Sequence, residues 1–228
     1  MRLTALIKEQ EELTKKLKIS NDFQRLEMIG AADCAFDDRY IYCVFVVFLY
    51  EEFKERLPKR DLRPIEVKTT RVKIDFPYIP GFLSYREKKA YLKTYKKLEI
   101  LPDVILFDGQ GISHPRRFGL ACHIGVLLNK PTIGCAKSRL VGEFKMPGKR
   151  RGSCSPLIYN GEMVGYVLRT QDNVAPLFVS PGQGIDFATA KEIVLKTATN
   201  YRLPEPLRYA HIISKSLRES KPRIGSRR

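Results

Sequence analysis

The 228-residue chain has no tryptophan, three histidines, five cysteines, and only 25 acidic residues against 41 Lys and Arg. Each shortage excludes something. Cys34, Cys43, Cys122, Cys135 and Cys154 are odd in number, form no CxxC pair and stand in apolar surroundings, which argues against a disulfide frame and a thiolate zinc site and predicts reduced core side chains. The longest apolar run, from Tyr40 to Tyr50, is too short to span a bilayer as a helix. It is rich in β-branched and aromatic residues and reads as a buried strand. The opening residues MRLTALIKEQ lack a long apolar region and a small-residue cleavage site. No secretion signal or membrane partner is therefore expected, and the chain is expected in the cytoplasm.

The shortage of acids says most about partners. A net charge of +16 and a pI near 9.7 point to a polyanion. The excess is localised: residues 113–152 hold nine Lys/Arg and one acid, and residues 202–228 hold eight and two. Solubility needs no such clustering. Binding that neutralises phosphates releases counterions, so affinity should fall steeply with salt.

The length suits one domain with a full core, expected over residues 1–215 as a monomer, with 216–228 as a flexible basic tail. Leu3, Leu6, Ile7, Leu13 and Leu17 at near-helical spacing predict an amphipathic first helix. Three strand-like runs follow, at 27–36, 40–50 and 65–74, the first two separated by Asp37 and Asp38. Thereafter helices and apolar strands alternate: a helix from about Ser84 to Lys97, strand DVILFD, a helix after His114-Pro115, strand TIGCA, a hairpin at Asn160-Gly161, strand LFVS, and a helix from Asp186. The order predicts an α/β mixed sheet, three antiparallel strands and then parallel ones, flanked by helices.

Open α/β sheets bind ligands beyond the carboxyl ends of their parallel strands, so acids there carry interest. Asp33 interrupts the apolar strand MIGAADCAF, where an unpaired carboxylate is costly to bury. Asp108 ends PDVILFDGQG, and Glu87 follows the loop FPYIPG near the start of the next helix. Gathered on one face of the sheet, the three would repel one another unless a divalent cation such as Mg²⁺ or Mn²⁺ sat between them. Taken singly each has a plainer explanation: Asp33 paired with an arginine, Asp108-Gly109 as a common turn, Glu87 on a solvated helix face.

The segments FPYIPGFLSYRE, PDVILFDGQGISHPRRFGLACHIGVLLNKPTIGCAKSRL and RLPEPLRYAH closely resemble the endonuclease V family, in its order and spacing from about Asp33 to His211. The resemblance implies an RNase H-like fold and a metal-dependent endonuclease acting on deoxyinosine-containing DNA, with incision at the second phosphodiester 3′ of the lesion. The alternative is an inosine-specific ribonuclease or a broader, structure-selective RNase H-like nuclease. It implies Asp33, Glu87 and Asp108 as metal ligands, His211 as a fourth active-site residue, and Lys137 as a positive charge beside the phosphate. Pro77, Tyr78, Ile79 and Pro80 resemble the family's wedge, which enters the duplex while the damaged base leaves the stack. Prolines on both sides stiffen such a loop before binding. By the same resemblance Leu83, Gly109, Gly119 and Leu120 line the base pocket, where glycines let the main chain approach a purine edge. His114 matches a family motif, although Pro115 can equally mark a helix start. Arg116, Arg117 and the loop KMPGKRRG are expected phosphate contacts. Gln183 in FVSPGQGID replaces a histidine common in the family, and GAADCAF departs from its Gly-Val-Asp-x-Ser-type pattern while keeping the acid.

Overall fold

The computed structural model describes residues 3–53 and 62–220. Helix α1 (Leu3–Thr14) precedes strands β1 (Met28–Phe36), β2 (Tyr40–Leu49) and β3 (Glu66–Lys73). Helix α2 (Leu83–Tyr95), strand β4 (Val104–Phe107), helix α3 (Leu120–Leu128) and strand β5 (Thr132–Ala136) follow. The chain ends with the β6 (Cys154–Tyr159)/β7 (Glu162–Leu168) hairpin, β8 (Leu177–Pro181), α4 (Phe187–Thr197) and α5 (Glu205–Glu219). One eight-stranded sheet has the order β3-β2-β1-β4-β5-β8-β7-β6. Pairs β1–β4 and β4–β5 are parallel, and β8 returns antiparallel to β5. Asn160 and Gly161, with φ of 53° and 76°, make the two-residue turn whose positive φ values match strand twist.

Strand alternation sends β1 and β4 side chains to two cores. Ile29, Ala31, Val104 and Leu106 pack with Leu207 and Ala210 of α5. Ala32, Ile105 and Phe107 pack with Ala90 and Tyr91 of α2 and with Ile124 of α3. Helices α5 and α2 therefore cover opposite faces, and Asp33, in phase with Ile29 and Ala31, points toward α5.

Three details differ from the sequence expectations. Helix α3 starts at Leu120 and not after Pro115, because Arg117 is left-handed (φ 54°) and Gly119 is extended against the chain at Gln110, where an added Cβ would lie 2.4 Å from a carbonyl oxygen. Helix α5 runs to Glu219, past the expected start of the tail, because Ile213 and Leu217 still pack on the core. The expected flexibility of residues 221–228 lies outside the described residues. All five cysteines are free thiols, but Cys154 is exposed and Cys34 half-buried. Among the described residues no helix is long and apolar enough to cross a membrane.

Candidate active site

The parallel pairing of β1 with β4 sets Ala32 beside Phe107, so Asp33 within β1 and Asp108 just past the end of β4, each the next residue, stand side by side. Helix α5 brings His211 over them, and ligand atoms of Asp33, Asp108 and His211 lie within 4.8 Å of one another. His211 Nδ1 is 3.1 Å from Asp33 Oδ2, and the same oxygen accepts a 2.7 Å bond from Ser214 Oγ. Ser214 is one helical turn beyond His211 and fully buried. Sequence reading missed it; its spacing of three from His211 on an amphipathic helix was the available signal.

Glu87 does not join this close group. It belongs to α2, on the opposite face of the sheet, so the three carboxylates do not share one face as expected. It is nonetheless near, because the charge of Asp33 acts on it. Burial first, and Asp33 second, push the Glu87 carboxyl up to about 8, against a lowering hydrogen bond from Tyr91. Burial also raises Asp33, opposed by the Ser214 hydrogen bond and reinforced by Asp108. Buried carboxyls this hard to ionise, beside a histidine, are the donor set a hard divalent cation fits.

Lys137 follows β5, next to β4 in the sheet, and its Nζ reaches Asp108 Oδ2 at 2.5 Å. Arg202 donates to the Lys137 carbonyl at 2.7 Å, so the connection before α5 holds the lysine's backbone in place.

Beside this cluster opens a cavity of about 360 Å³, within the range of small-molecule sites. Asp108 and Lys137 form one wall; Leu83, Gly109, Gly119 and Leu120 form others, together with Tyr78, Pro80 and His114. Tyr78 is 65% exposed, so it is not a core aromatic. Pro77 is exposed also, whereas Ile79 packs inward against the cluster of Leu6, Phe82 and Tyr85. The apolar surface presented outward is thus Tyr78 with its flanking prolines.

Several of the other expected contacts make hydrogen bonds within the protein. Arg116 donates to Gln10 and Gly81, and Arg117 to the Tyr159 carbonyl and to the exposed Glu162, so part of each guanidinium is engaged within the protein. In KMPGKRRG, Arg151 donates to the carbonyls of Leu195 and Ala198, leaving Lys145, Lys149 and Arg150 exposed. Gln183 is buried, and its Oε1 accepts from the Lys18 amide at 3.0 Å, a tie between the α1 connection and the turn after β8.

The family model described as Endonuclease V matches residues 11–212. A relative from Dictyoglomus turgidum named Endonuclease V is 44% identical, covering 94% of this chain and 90% of its own. A crystal structure of the Bacillus subtilis Endonuclease V superimposes with a TM-score of 0.87 at 30% identity, covering 96% of this chain and 92% of that one. The Ciona intestinalis Endonuclease V, in complex with a 24mer DNA containing an inosine followed by a ribo-adenosine, gives a TM-score of 0.80 at 27% identity, covering 96% and 99%.

Proposed function

The chain belongs to the endonuclease V family, and on that premise we propose that it nicks DNA containing deoxyinosine at the second phosphodiester 3′ of the lesion, using a divalent cation of the Mg²⁺ or Mn²⁺ class. One observation carries the reading: Asp108 belongs both to the acidic cluster and to the wall of the cavity, and its ion-pair partner Lys137 lines the same wall. A base taken into the cavity leaves its strand's backbone beside the carboxylates.

Asp33, Asp108 and His211 would hold the cation, with Glu87 approaching from the other face. When bound, the cation supplies activation of a water and neutralisation of the phosphate. Ser214 orients Asp33, and Lys137 sets a positive charge next to Asp108, where the leaving oxygen develops charge. Leu83, Gly109, Gly119 and Leu120 bring backbone groups to the base edge. Hypoxanthine carries an oxygen where adenine has an amino group, so an amide donor there favours it. Tyr78 fills the space of the departed base, offsetting lost stacking. A second reading, action on inosine within RNA, is favoured by the ribo-adenosine that follows the inosine in the Ciona complex.

The test is incision of end-labelled duplexes carrying one deoxyinosine, with Mg²⁺ or EDTA, beside undamaged duplex and single-inosine RNA. A cation-dependent nick one nucleotide 3′ of deoxyinosine, lost in Asp33→Ala and Asp108→Ala, is expected. Cleavage of the RNA alone moves the function to inosine-RNA turnover. Equal nicking of undamaged duplex, or activity in both variants, overturns the proposal.

A further inference from the structure

The loop that carries Tyr78 ends at Gly81, and three donors from two other parts of the chain converge on the Gly81 carbonyl. Arg116 donates to it at 2.7 Å, His114 Nε2 lies at 3.2 Å, and Gln10 Nε2 donates at 3.3 Å. Gly81 has φ of 78°, a conformation that L side chains rarely adopt, and an added Cβ would sit 3.0 Å from the Arg116 guanidinium.

Gln10 comes from α1 and is completely buried. Its Oε1 accepts from Arg116 Nε at 2.5 Å, and its amide nitrogen also reaches the Phe118 carbonyl at 3.5 Å. A reversed amide would turn a donor toward the guanidinium and an acceptor toward two carbonyls, so its neighbours decide its orientation. The same logic fixes His114. Its Nδ1 accepts from the Arg116 backbone amide at 3.2 Å, which leaves Nε2 to carry the proton donated to Gly81.

Apolar packing runs alongside. Leu6 of α1 is buried with Phe82 and Tyr85, and Phe76 and Ile79 pack against them. The Arg116 guanidinium lies 4.4 Å from the centre of the Phe82 ring. The rear of the loop is therefore fixed to α1 and to the turn at 114–116, while Tyr78 and Pro80 face the cavity.

From this geometry we propose that Gln10 is a positioning residue: with Arg116 and His114 it clamps the Gly81 carbonyl and holds the 77–81 loop at the cavity mouth before nucleic acid arrives. It lies neither in the metal group nor on the cavity wall. Its effect is to spare the ordering cost of the loop on binding. The use of the clamp rests on the nuclease function proposed above, but its existence can be tested without nucleic acid.

The absence of tryptophan supplies the probe, since Tyr78→Trp places a single indole on the loop. Time-resolved anisotropy of the Tyr78→Trp protein should show faster local motion after Gln10→Ala and no change after Lys8→Ala, an exposed position on the same helix. Gln10→Glu, which keeps an acceptor for Arg116 but loses the donor to Gly81 and Phe118, should also loosen the loop and carries the test if the alanine variant does not fold. Unchanged anisotropy in a folded Gln10 variant overturns the clamp. With a deoxyinosine duplex, Gln10→Glu in the otherwise unaltered chain should raise KM about tenfold, the scale of a lost buried hydrogen bond, and leave kcat in place. A fall in kcat with KM unchanged also overturns it. A wild-type protein that cuts no substrate refutes the proposed function, and the anisotropy result then still decides the clamp.

Discussion

The two polar clusters that meet at the cavity are built in opposite ways. Around Gly81, the Gln10 amide, the Arg116 guanidinium and the His114 ring all find partners of the right polarity. Where β1 and β4 meet, Asp33 stands beside Asp108 with Glu87 near from the other face, and two of the three are pushed toward the protonated form. A satisfied buried network rigidifies what it touches; crowded buried carboxylates destabilise the fold unless something binds them. The first cluster is finished structure, and the second is a site that gains stability from a ligand.

The largest expected effect that sharpens this contrast is at Ser214. Its hydroxyl gives the stronger of the two hydrogen bonds that favour ionised Asp33, the other being from His211, so Ser214→Ala should weaken cation affinity or activity by about ten- to a hundredfold. Cation titration monitored by incision checks it. An unchanged titration would mean that Ser214 only packs α5 against β1.

Next in size is pH-dependent stability, in which the two clusters have opposite signs. Glu87, raised to about 8 from 4.5, keeps its proton when the unfolded chain has lost its own. Without cation, stability should therefore fall as pH rises between those values. His114 is driven down to about 4 from 6.5 by burial and then by the Arg116 charge. The unfolded chain binds the extra proton there, so stability should fall as pH drops through that window. The two windows overlap between 4.5 and 6.5, where the buried His123, driven down to about 3, adds to the acid limb. In EDTA the midpoint of thermal unfolding should thus peak near the upper end of the overlap. Glu87→Gln should flatten the alkaline limb by several degrees, on the scale of about 2–4 °C per kcal/mol for a chain of this size. Added Mg²⁺ should raise the same limb in the wild type and less in the variant. An alkaline limb identical in both proteins would remove Glu87 as the frustrated group.

Legibility in the sequence follows the range of the interactions. The sheet was readable because β2 is an unbroken buried run and Asn160-Gly161 encodes a two-residue turn, both local signals. Asp33 stood out because a carboxylate interrupts an apolar strand, a cost visible without coordinates. That Glu87 enters from the other face was not readable, since it depends on which side of the sheet α2 covers. Gln10 left no trace because its partner lies 71 residues away, and Ser214, whose partner lies 181 residues away, left only its helical spacing from His211. The internal bonds of the arginines were hidden for a related reason. Composition counts a guanidinium as a surface charge, yet Arg116, Arg117 and Arg151 also donate to backbone carbonyls of the protein.

The smallest expected effect separates charge from architecture. The loop of residues 145–152 is itself anchored: the buried Arg169 donates to the Gly148 carbonyl at 2.9 Å and to that of Pro147 at 3.1 Å, and the Asn173 amide donates to the Lys149 carbonyl at 2.8 Å. Lys149 and Arg150 are left exposed on a fixed backbone. If they meet phosphates, each replacement by alanine should weaken binding to damaged and undamaged duplex alike and lower the salt slope by about one. The ratio between the two duplexes should stay as it was, because phosphate contacts carry no base information. Binding isotherms at several salt concentrations measure both quantities. A changed ratio with an unchanged slope would place these side chains with the Gly81 clamp as shapers of the cavity. It would also remove the division between surface charge that attracts and buried polar contacts that discriminate.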